Sequence, residues 1–488
     1  MDKVGDHAVV LGASMAGLLA ARVLSEFYDR VTIVERDELP AIGGQRRGVP
    51  QGRHLHGLLS SGYQVLNELF DGFGAELQVA GAALGDAQEK LRLYLDGHRY
   101  CQAPIGLSGL GVSRPLLEGQ VRARVRALSA VTLLEQCAGV GFATSDDGRR
   151  ITGLRVLPRA DGATEQTLFA DLVVDASGRG SRTPVWLELL GYPRPSRDEV
   201  RIGLAYTSRR YRLDPCALDG DIVVLTNGTL LPDGTPSGQY VGGMQLQEHG
   251  TAIVTLGGYL GRHAPTDPAG FLAFAAGMPA EVHEAIHDAE PLGDPVRQTF
   301  PTSVRHRYEH LRRFPDGLLV LGDAMCSFNP IYGQGMSVAA LESLALRECL
   351  GVGAHRLAPR FFRAAGKIVD GAWDITVTGD LRVPGVQGRR TLRRRLINLC
   401  LSRVHPAAAI DPIVAAAFLR VQNLLDPPRR LLRPAIALRI LRAHRGRRTA
   451  RPPATAGSPR PVLPASSRPT AWESLRQAAQ HGAGAGRD

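Results

Sequence analysis

Short apolar runs alternate along the chain with stretches of helical spacing. His7–Leu11 (HAVVL) is uninterrupted and apolar, as a buried parallel strand requires. A turn of small residues, Gly12–Gly17, follows, and Ala16–Phe27 then repeats apolar residues at helical intervals. Val31–Glu35 (VTIVE) is a second buried-type strand, so the N-terminus reads as a βαβ unit. After a long loop, Arg36–Leu55, the pattern predicts a helix at Gly57–Phe70, a hairpin at Leu91–Tyr100 and an Arg-rich amphipathic helix at Leu116–Leu128. Strands are expected at Val131–Glu135, Gly139–Phe142, Ile151–Leu157 and Gln166–Val174, then a short helix at Val185–Leu190. Strand-like patterning dominates from Val200 to Leu260, with strands at Ile202–Thr207, Asp221–Thr226, Gln239–Leu246 and Thr251–Tyr259. Phe271–Ala289 is helical in pattern, Leu318–Gly322 (LLVLG) is one more buried strand, and Gly335–Cys349 is a helix. Later helices are expected at Phe361–Asp374, Arg393–Arg403, Ile413–Leu425 and Pro434–Arg445. The Pro-, Arg-, Ala- and Ser-rich remainder, 446–488, has too little apolar surface to order itself and is expected to be a disordered tail.

Composition narrows the class. With 488 residues, 44% hydrophobic and 22% charged, the chain is an ordinary globular protein with room for two to three domains. The formal charge of +11 invites a nucleic-acid or membrane reading. Its placement weakens that. Between Arg382 and Asp488, 21 arginines face four carboxylates, which leaves the rest of the chain with 37 basic and 43 acidic residues. No groove-reading motif accompanies the arginines, so nucleic acid is not an expected partner. For the basic C-terminal region a helical cap on the acidic body is favoured over contact with a membrane surface. The six cysteines form no CxxC pair; the expectation is no metal site and buried free thiols in a cytoplasmic protein. No apolar run reaches 18 residues, so no spanning helix is predicted.

Two constellations carry chemistry. In the first, Gly12-Ala13-Ser14-Met15-Ala16-Gly17 leaves a strand and opens a helix whose free N–H groups and dipole suit a diphosphate. Gly12 permits the tight turn, Gly17 close helix–strand packing, and Ser14 stands where a second glycine is usual. Glu35 ends the next strand, placed for the ribose hydroxyls of an adenosine, so dinucleotide binding is the reading. In the second, a buried strand ends at Gly322-Asp323, and Pro330 and Gly333-Gln334-Gly335 lead into a helix. An Asp at a strand end can hold a polyol, and two glycines at a helix start let backbone N–H groups approach a flat polar ring. Phe328 and Tyr332 flank Pro330 and could line a pocket or simply pack. His54 and His56 lack a third ligand by spacing and are read as loop residues.

Together these motifs resemble the FAD-dependent monooxygenases of the p-hydroxybenzoate hydroxylase and squalene-epoxidase-like type. The resemblance runs from His7 to Arg442. It is strongest to a bacterial natural-product branch that includes polyether epoxidases, in LGASMAG, GVPQGRHLH (Gly48–His56), DASGRGSR (Asp175–Arg182) and VQNLLDPPRRLLRPA (Val421–Ala435). It implies an α/β fold: a Rossmann-type FAD-binding domain (1–80, 112–190 and 300–352), an inserted, mainly antiparallel β-sheet substrate domain (81–111 and 191–299) and a C-terminal helical region (353–445). It implies that Glu35 binds the adenosine ribose and Asp323 the ribitol. Gly333, Gln334, Gly335 and Met336 would lie beside the isoalloxazine, Arg114 near the diphosphate, and the Gln51-Gly52-Arg53 loop near the flavin ring. Asp175-Ala176-Ser177-Gly178 has Ser where the family's middle fingerprint has a second Asp, so electrons from NADPH or NADH could arrive directly or through a separate flavin reductase. The implied chemistry is transfer of one oxygen atom from O₂, by way of a flavin C4a-hydroperoxide, to an apolar polyketide- or isoprenoid-like substrate, as in antibiotic biosynthesis. Val200–Tyr259 offers no clear acid–base pair, which favours epoxidation over phenol hydroxylation. Trp186, Trp373 and Trp472 form no WxWxIP motif, which argues against a halogenase. A flavin reductase of prenyl-type alkenes, similar to geranylgeranyl reductases, and a non-catalytic flavin-binding protein remain as alternatives.

Overall fold

HAVVL forms the centre of a five-stranded parallel sheet in a computed structural model that describes residues 3–214, 216–228 and 239–449, the last four through the backbone alone. The strand order is Leu318–Val320, Leu172–Asp175, Gly5–Leu11, Tyr28–Val34, Val131–Leu134. Ala8, Val9 and Val10 are fully buried, which is why the run shows no polar alternation. One face carries the helix Met15–Phe27, backed by Gly335–Gly351; the other meets an antiparallel sheet of Cys137–Thr144, Ile151–Pro158 and Gln166–Phe169. Because the strands are parallel, their carboxyl ends share one edge. Gly12, Glu35, Asp175 and Gly322-Asp323 all emerge there, where α/β sheets bind ligands.

Beside this layer stands an eight-stranded sheet. Its order is Cys326–Ser327, Val296–His306, Arg197–Arg212, Thr251–Gly258, Tyr240–Gln247, Val223–Asn227, Leu91–Leu95, His98–Arg99. All neighbours are antiparallel except Val223–Asn227 with Leu91–Leu95. Alternation gives the sheet two faces. Val224, Met244, Val254 and Leu256 pack towards the helices Pro268–Ala275 and Ala280–Ile286, around Phe271. Their sequence neighbours Val223, Leu225, Gly243 and Thr255 face a cavity instead. The hairpin at Leu91 turns at Asp96-Gly97, both with positive φ (50° and 75°), the type I′ geometry that an Asp-Gly pair favours. Helices Leu392–Ala408 and Pro412–Gln422 close one end, where Val404, Ala407, Val414 and Phe418 pack on Leu93 and Tyr100.

Several expectations need correction. The helix expected at 271–289 is two short helices, divided at Gly277 and Pro279. The later helix extends from Leu357 to Asp380, well past 374. A strand at Val296–His306 was not expected; Pro301 and its polar composition hide it, although it pairs along most of Arg197–Arg212. The two-stranded antiparallel sheet of Ala83–Asp86 with Ser108–Gly111 was also missed. The last helix, Pro434–Thr449, continues into the segment expected to be disordered, and 450–488 lies outside the described residues. Of the thiols expected to be buried, only Cys137 and Cys326 are; Cys216 and Cys400 are exposed. No described helix is long and apolar enough to cross a membrane.

Candidate functional site

At the first turn, Gly12 adopts φ +105°, and a Cβ there would lie 2.6 Å from the Ala176 carbonyl oxygen. A Cβ on Gly17 would lie 1.8 Å from the Gly12 carbonyl oxygen, so only glycine lets the helix start against the strand. No side chain caps this helix: the Ser14 hydroxyl instead donates to Glu118 Oε2 at 2.8 Å. The intrahelically unpaired N–H groups of the first turn are thus left for another acceptor, at a cavity wall formed by Gly12, Ser14, Met15 and Ala16.

A buried ion network surrounds the turn. Arg46 donates to Glu35 Oε2 (2.7 Å), to Glu118 Oε1 (2.6 Å) and to the Ala13 carbonyl (2.9 Å). Arg114 donates to Glu118 Oε2 at 2.8 Å and to the Ser14 hydroxyl at 2.9 Å. Burial would raise the Glu118 carboxyl, but Arg114 and Arg46 overcome it and hold it at about 2. Glu35 is fixed by the Ala13 and Asp37 N–H groups at 2.9 and 3.0 Å; its Oε1 accepts one bond and keeps acceptor capacity for a hydroxyl.

The second turn has its own brace. Glu342, on Gly335–Gly351, accepts from the Gly322 N–H at 2.6 Å and holds the turn that presents Asp323. Burial pushes the Glu342 carboxyl up to about 8, despite that hydrogen bond. Burial also raises Asp323, against the pull of Arg114 and Arg179. Asp380, at the end of the long helix, accepts from Asn329 (2.7 Å) and Tyr259 (2.9 Å) and is pushed up to about 7 by burial. This cluster ties the Pro330–Tyr332 turn to the helix. Gly333 follows at φ +63°, and the buried Gln334 accepts from Thr376 at 2.9 Å while its Nε2 has no partner. The middle fingerprint closes around Asp175, fully buried, which accepts from the Ser177 N–H and from the hydroxyls of Ser177, Ser181 and Thr183.

All of these turns face one continuous cavity of about 1630 Å³. Gly12, Ser14, Glu35, Arg114, Asp323, Phe328, Pro330, Tyr332, Gly333, Gln334, Gly335 and Met336 line it. Arg53 does not; it is exposed, and Gln51 is the residue of its loop that reaches the wall. Gly17 acts in the packing beneath. The residues fit an FAD: a helix start without a side-chain cap for a diphosphate, Glu35 for a ribose, Asp323 for a polyol, and an unpaired Gln334 Nε2 beside the glycine turn for a polar ring. Beyond them the cavity is walled by Leu93, Leu225, Val223, Val241 and Tyr206 of the large sheet and by the C-terminal helices.

Protein Rv3254 of Mycobacterium tuberculosis is 37% identical over 434 residues, covering 86% of this chain and 90% of the relative. The chain belongs to the family of Protein Rv3254. A kynurenine 3-monooxygenase from Salinispora arenicola is 29% identical over 368 residues, covering 72% of this chain and 73% of that protein. Among solved structures, PqsL, a probable FAD-dependent monooxygenase from Pseudomonas aeruginosa, superposes with a TM-score of 0.55 at 18% identity, over 78% of this chain and 99% of that one. No family model matches the sequence. This member of the Rv3254 family therefore has the α/β fold of the FAD-dependent monooxygenases, the architecture that the motifs implied.

Sequence reasoning missed the partners that hold this family member's site together. Arg46 sits in the long loop and meets Glu118 across 72 residues, Glu342 meets Gly322 across 20, and Asp380 meets Asn329 across 51. Only the Arg114–Glu118 pair, at i,i+4 on a helix, had a local signature. His54 is buried, with Nδ1 2.7 Å from the Ser208 hydroxyl; His56 lines the cavity, and burial first, then Arg114, depresses it to about 3.

Proposed function

We propose that the protein is an FAD-dependent monooxygenase that adds one oxygen atom of O₂ to an apolar natural-product substrate, with alkene epoxidation ahead of aromatic hydroxylation. The other oxygen atom leaves as water, with two electrons from NADPH or NADH, taken directly or through a separate flavin reductase. The observation that carries the reading is the continuity of the cavity from the Glu35 and Asp323 turns to a chamber lined by Leu93, Leu225 and Val241. Bound FAD would supply the activation of O₂. The chain's own part is to bind and orient. Glu35, Arg114 and the helix starts hold the cofactor, Asp323 fixes its chain, and the sheet's leucines and valines exclude water from the reacting end. An alkene needs no base. His56, depressed to about 3, is a weak base, and burial pushes the Tyr206 hydroxyl up so that it stays protonated, so these two cavity-lining groups are poorly set to take a phenol proton.

The test is turnover of the reduced enzyme under oxygen-18-labelled O₂ with polyenes and phenols. A singly labelled epoxide is expected from polyenes. Label only in phenols would move the reading to hydroxylation. A prenyl-alkene reductase would use the same chamber but would consume no O₂. Glu35→Ala and Asp323→Ala should each weaken FAD binding; unchanged affinity in both would remove the cofactor assignment.

A further inference from the structure

The C-terminal helices wall the outer end of the cavity and present leucines to solvent around it. On Leu392–Ala408, Leu392, Leu396 and Leu399 fall at i, i+4 and i+7, one helical face, and are 77%, 63% and 53% exposed. Leu432 is 68% exposed, and Leu438 and Leu441 each 52%. Leu396, Leu432 and Leu441 also line the cavity, so the exposed apolar surface is continuous with the chamber. Grouped leucines of this kind on a soluble face mark an interaction surface.

Charge says what covers it. Arg393, Arg395, Arg403, Arg429, Arg442 and Arg445 are exposed around the leucines. Among the described residues, only Arg393 of these six is in an ion pair, with Asp374 at 2.8 Å. From Arg382 to Arg445 fourteen arginines stand against two carboxylates, Asp411 and Asp426. Both are already paired, with Arg439 (2.9 Å) and Arg420 (2.7 Å). A second copy docking on this face by a two-fold axis would bring arginines against arginines. Residues 450–488 carry five arginines and two carboxylates, the same sign again.

We propose that this face docks on an anionic lipid bilayer, with the arginines on headgroup phosphates, the leucines in the acyl boundary and the cavity opening towards the hydrocarbon. An apolar substrate dissolved in lipid then reaches the chamber without crossing water. That delivery role rests on the monooxygenase reading; the docking itself does not.

The experiment is flotation of the purified full-length protein with phosphatidylcholine vesicles, with and without phosphatidylglycerol. The protein should float with the anionic vesicles, stay behind with the neutral ones, and bind less as salt is raised. The double variant Leu399→Asp/Leu438→Asp, at positions outside the cavity wall, should lower partitioning by at least about tenfold. Arg395→Glu and Arg442→Glu should each lower it about fivefold. Leu189→Asp, at a residue 78% exposed on a different helix, should change nothing. Wild-type protein that stays behind with anionic vesicles overturns the proposal, as does a folded double variant (by circular dichroism) that floats normally. A wild-type dimer in light scattering that the double variant dissolves would give the face to a second copy and equally overturn it. Flotation is read without turnover, so its failure leaves the flavin reading standing, and a flavin-free protein that floats separates the two the other way.

Discussion

The two ends of the cavity are built on opposite principles. At the cofactor end a set of charges is buried in mutual contact: Arg46 bridges Glu35 and Glu118, and Arg114 joins Glu118 to Ser14. At the chamber end Leu93, Val223, Leu225 and Val241 make the apolar part of the wall, and there position matters less than volume. A buried ion set gains little net stability but fails badly when one member is removed. An apolar wall degrades gradually as atoms are exchanged. The ion-paired end is therefore precise and brittle, as the proposed FAD cradle requires, and the apolar chamber tolerates exchange of its side chains.

The largest break should come from Glu118→Ala. It strands the buried Arg114 guanidinium and leaves Arg46 with Glu35 as its one carboxylate, and should cost about 3–5 kcal/mol, read as a fall in unfolding free energy together with lost flavin absorbance after gel filtration. Glu118 also makes this end acid-sensitive. Its folded carboxyl lies at about 2, below its ordinary range, so its contribution is present above that range and is lost as pH falls from about 4.5 to about 2. Next is Gly17→Val, whose Cβ would overlap the Gly12 carbonyl; about 3 kcal/mol of destabilisation is expected, with the flavin lost alongside. In the chamber, Leu225→Trp should leave flavin content unchanged and reduce kcat/KM for a bulky substrate by about 1–3 kcal/mol in activation terms. If Leu225→Trp lost flavin, or Glu118→Ala kept both flavin and stability, the contrast between the ends would fail.

What could be read beforehand divides along the same line. The strand, turn, helix, strand and acid from His7 to Glu35 are contiguous, and each residue's job is set by its neighbours. The same holds for Gly322-Asp323 and the turn into Gly335. These parts were legible because backbone geometry demands particular residues at particular offsets. The braces were not, because a carboxylate on one helix that holds the backbone of a distant turn has no local pattern: Glu342 looks like any helical acid. The strand Val296–His306 was hidden for a related reason. Its stability comes from two neighbouring strands, so its own sequence can include Pro301 and exposed polar residues. The chamber was partly visible as alternation, but which parity faced the cavity required the helices Pro268–Ala275 and Ala280–Ile286 on the other side.

Glu342 gives the smallest and sharpest test of the cofactor end, because it is a buried acid with no cation in direct contact. Its carboxyl is pushed up to about 8 by burial, so at moderate acidity it is folded in the neutral form and accepts the Gly322 N–H through its carbonyl oxygen. Glutamine has the same shape and the same acceptor. Near pH 5, Glu342→Gln should therefore change stability by less than about 1 kcal/mol. The sign at higher pH follows from the proton count. Between the ordinary glutamate range and about 8, the unfolded chain has released a proton that the folded chain retains, so wild-type stability falls as pH rises through that window. The glutamine variant has no such proton and should lack that slope. Urea unfolding at a series of pH values would then show two curves that meet near pH 5 and separate towards pH 8, with the variant above. Curves that stay parallel would mean that Glu342 is charged in the fold, and the brace on Gly322 would then be an anionic one, like Glu118.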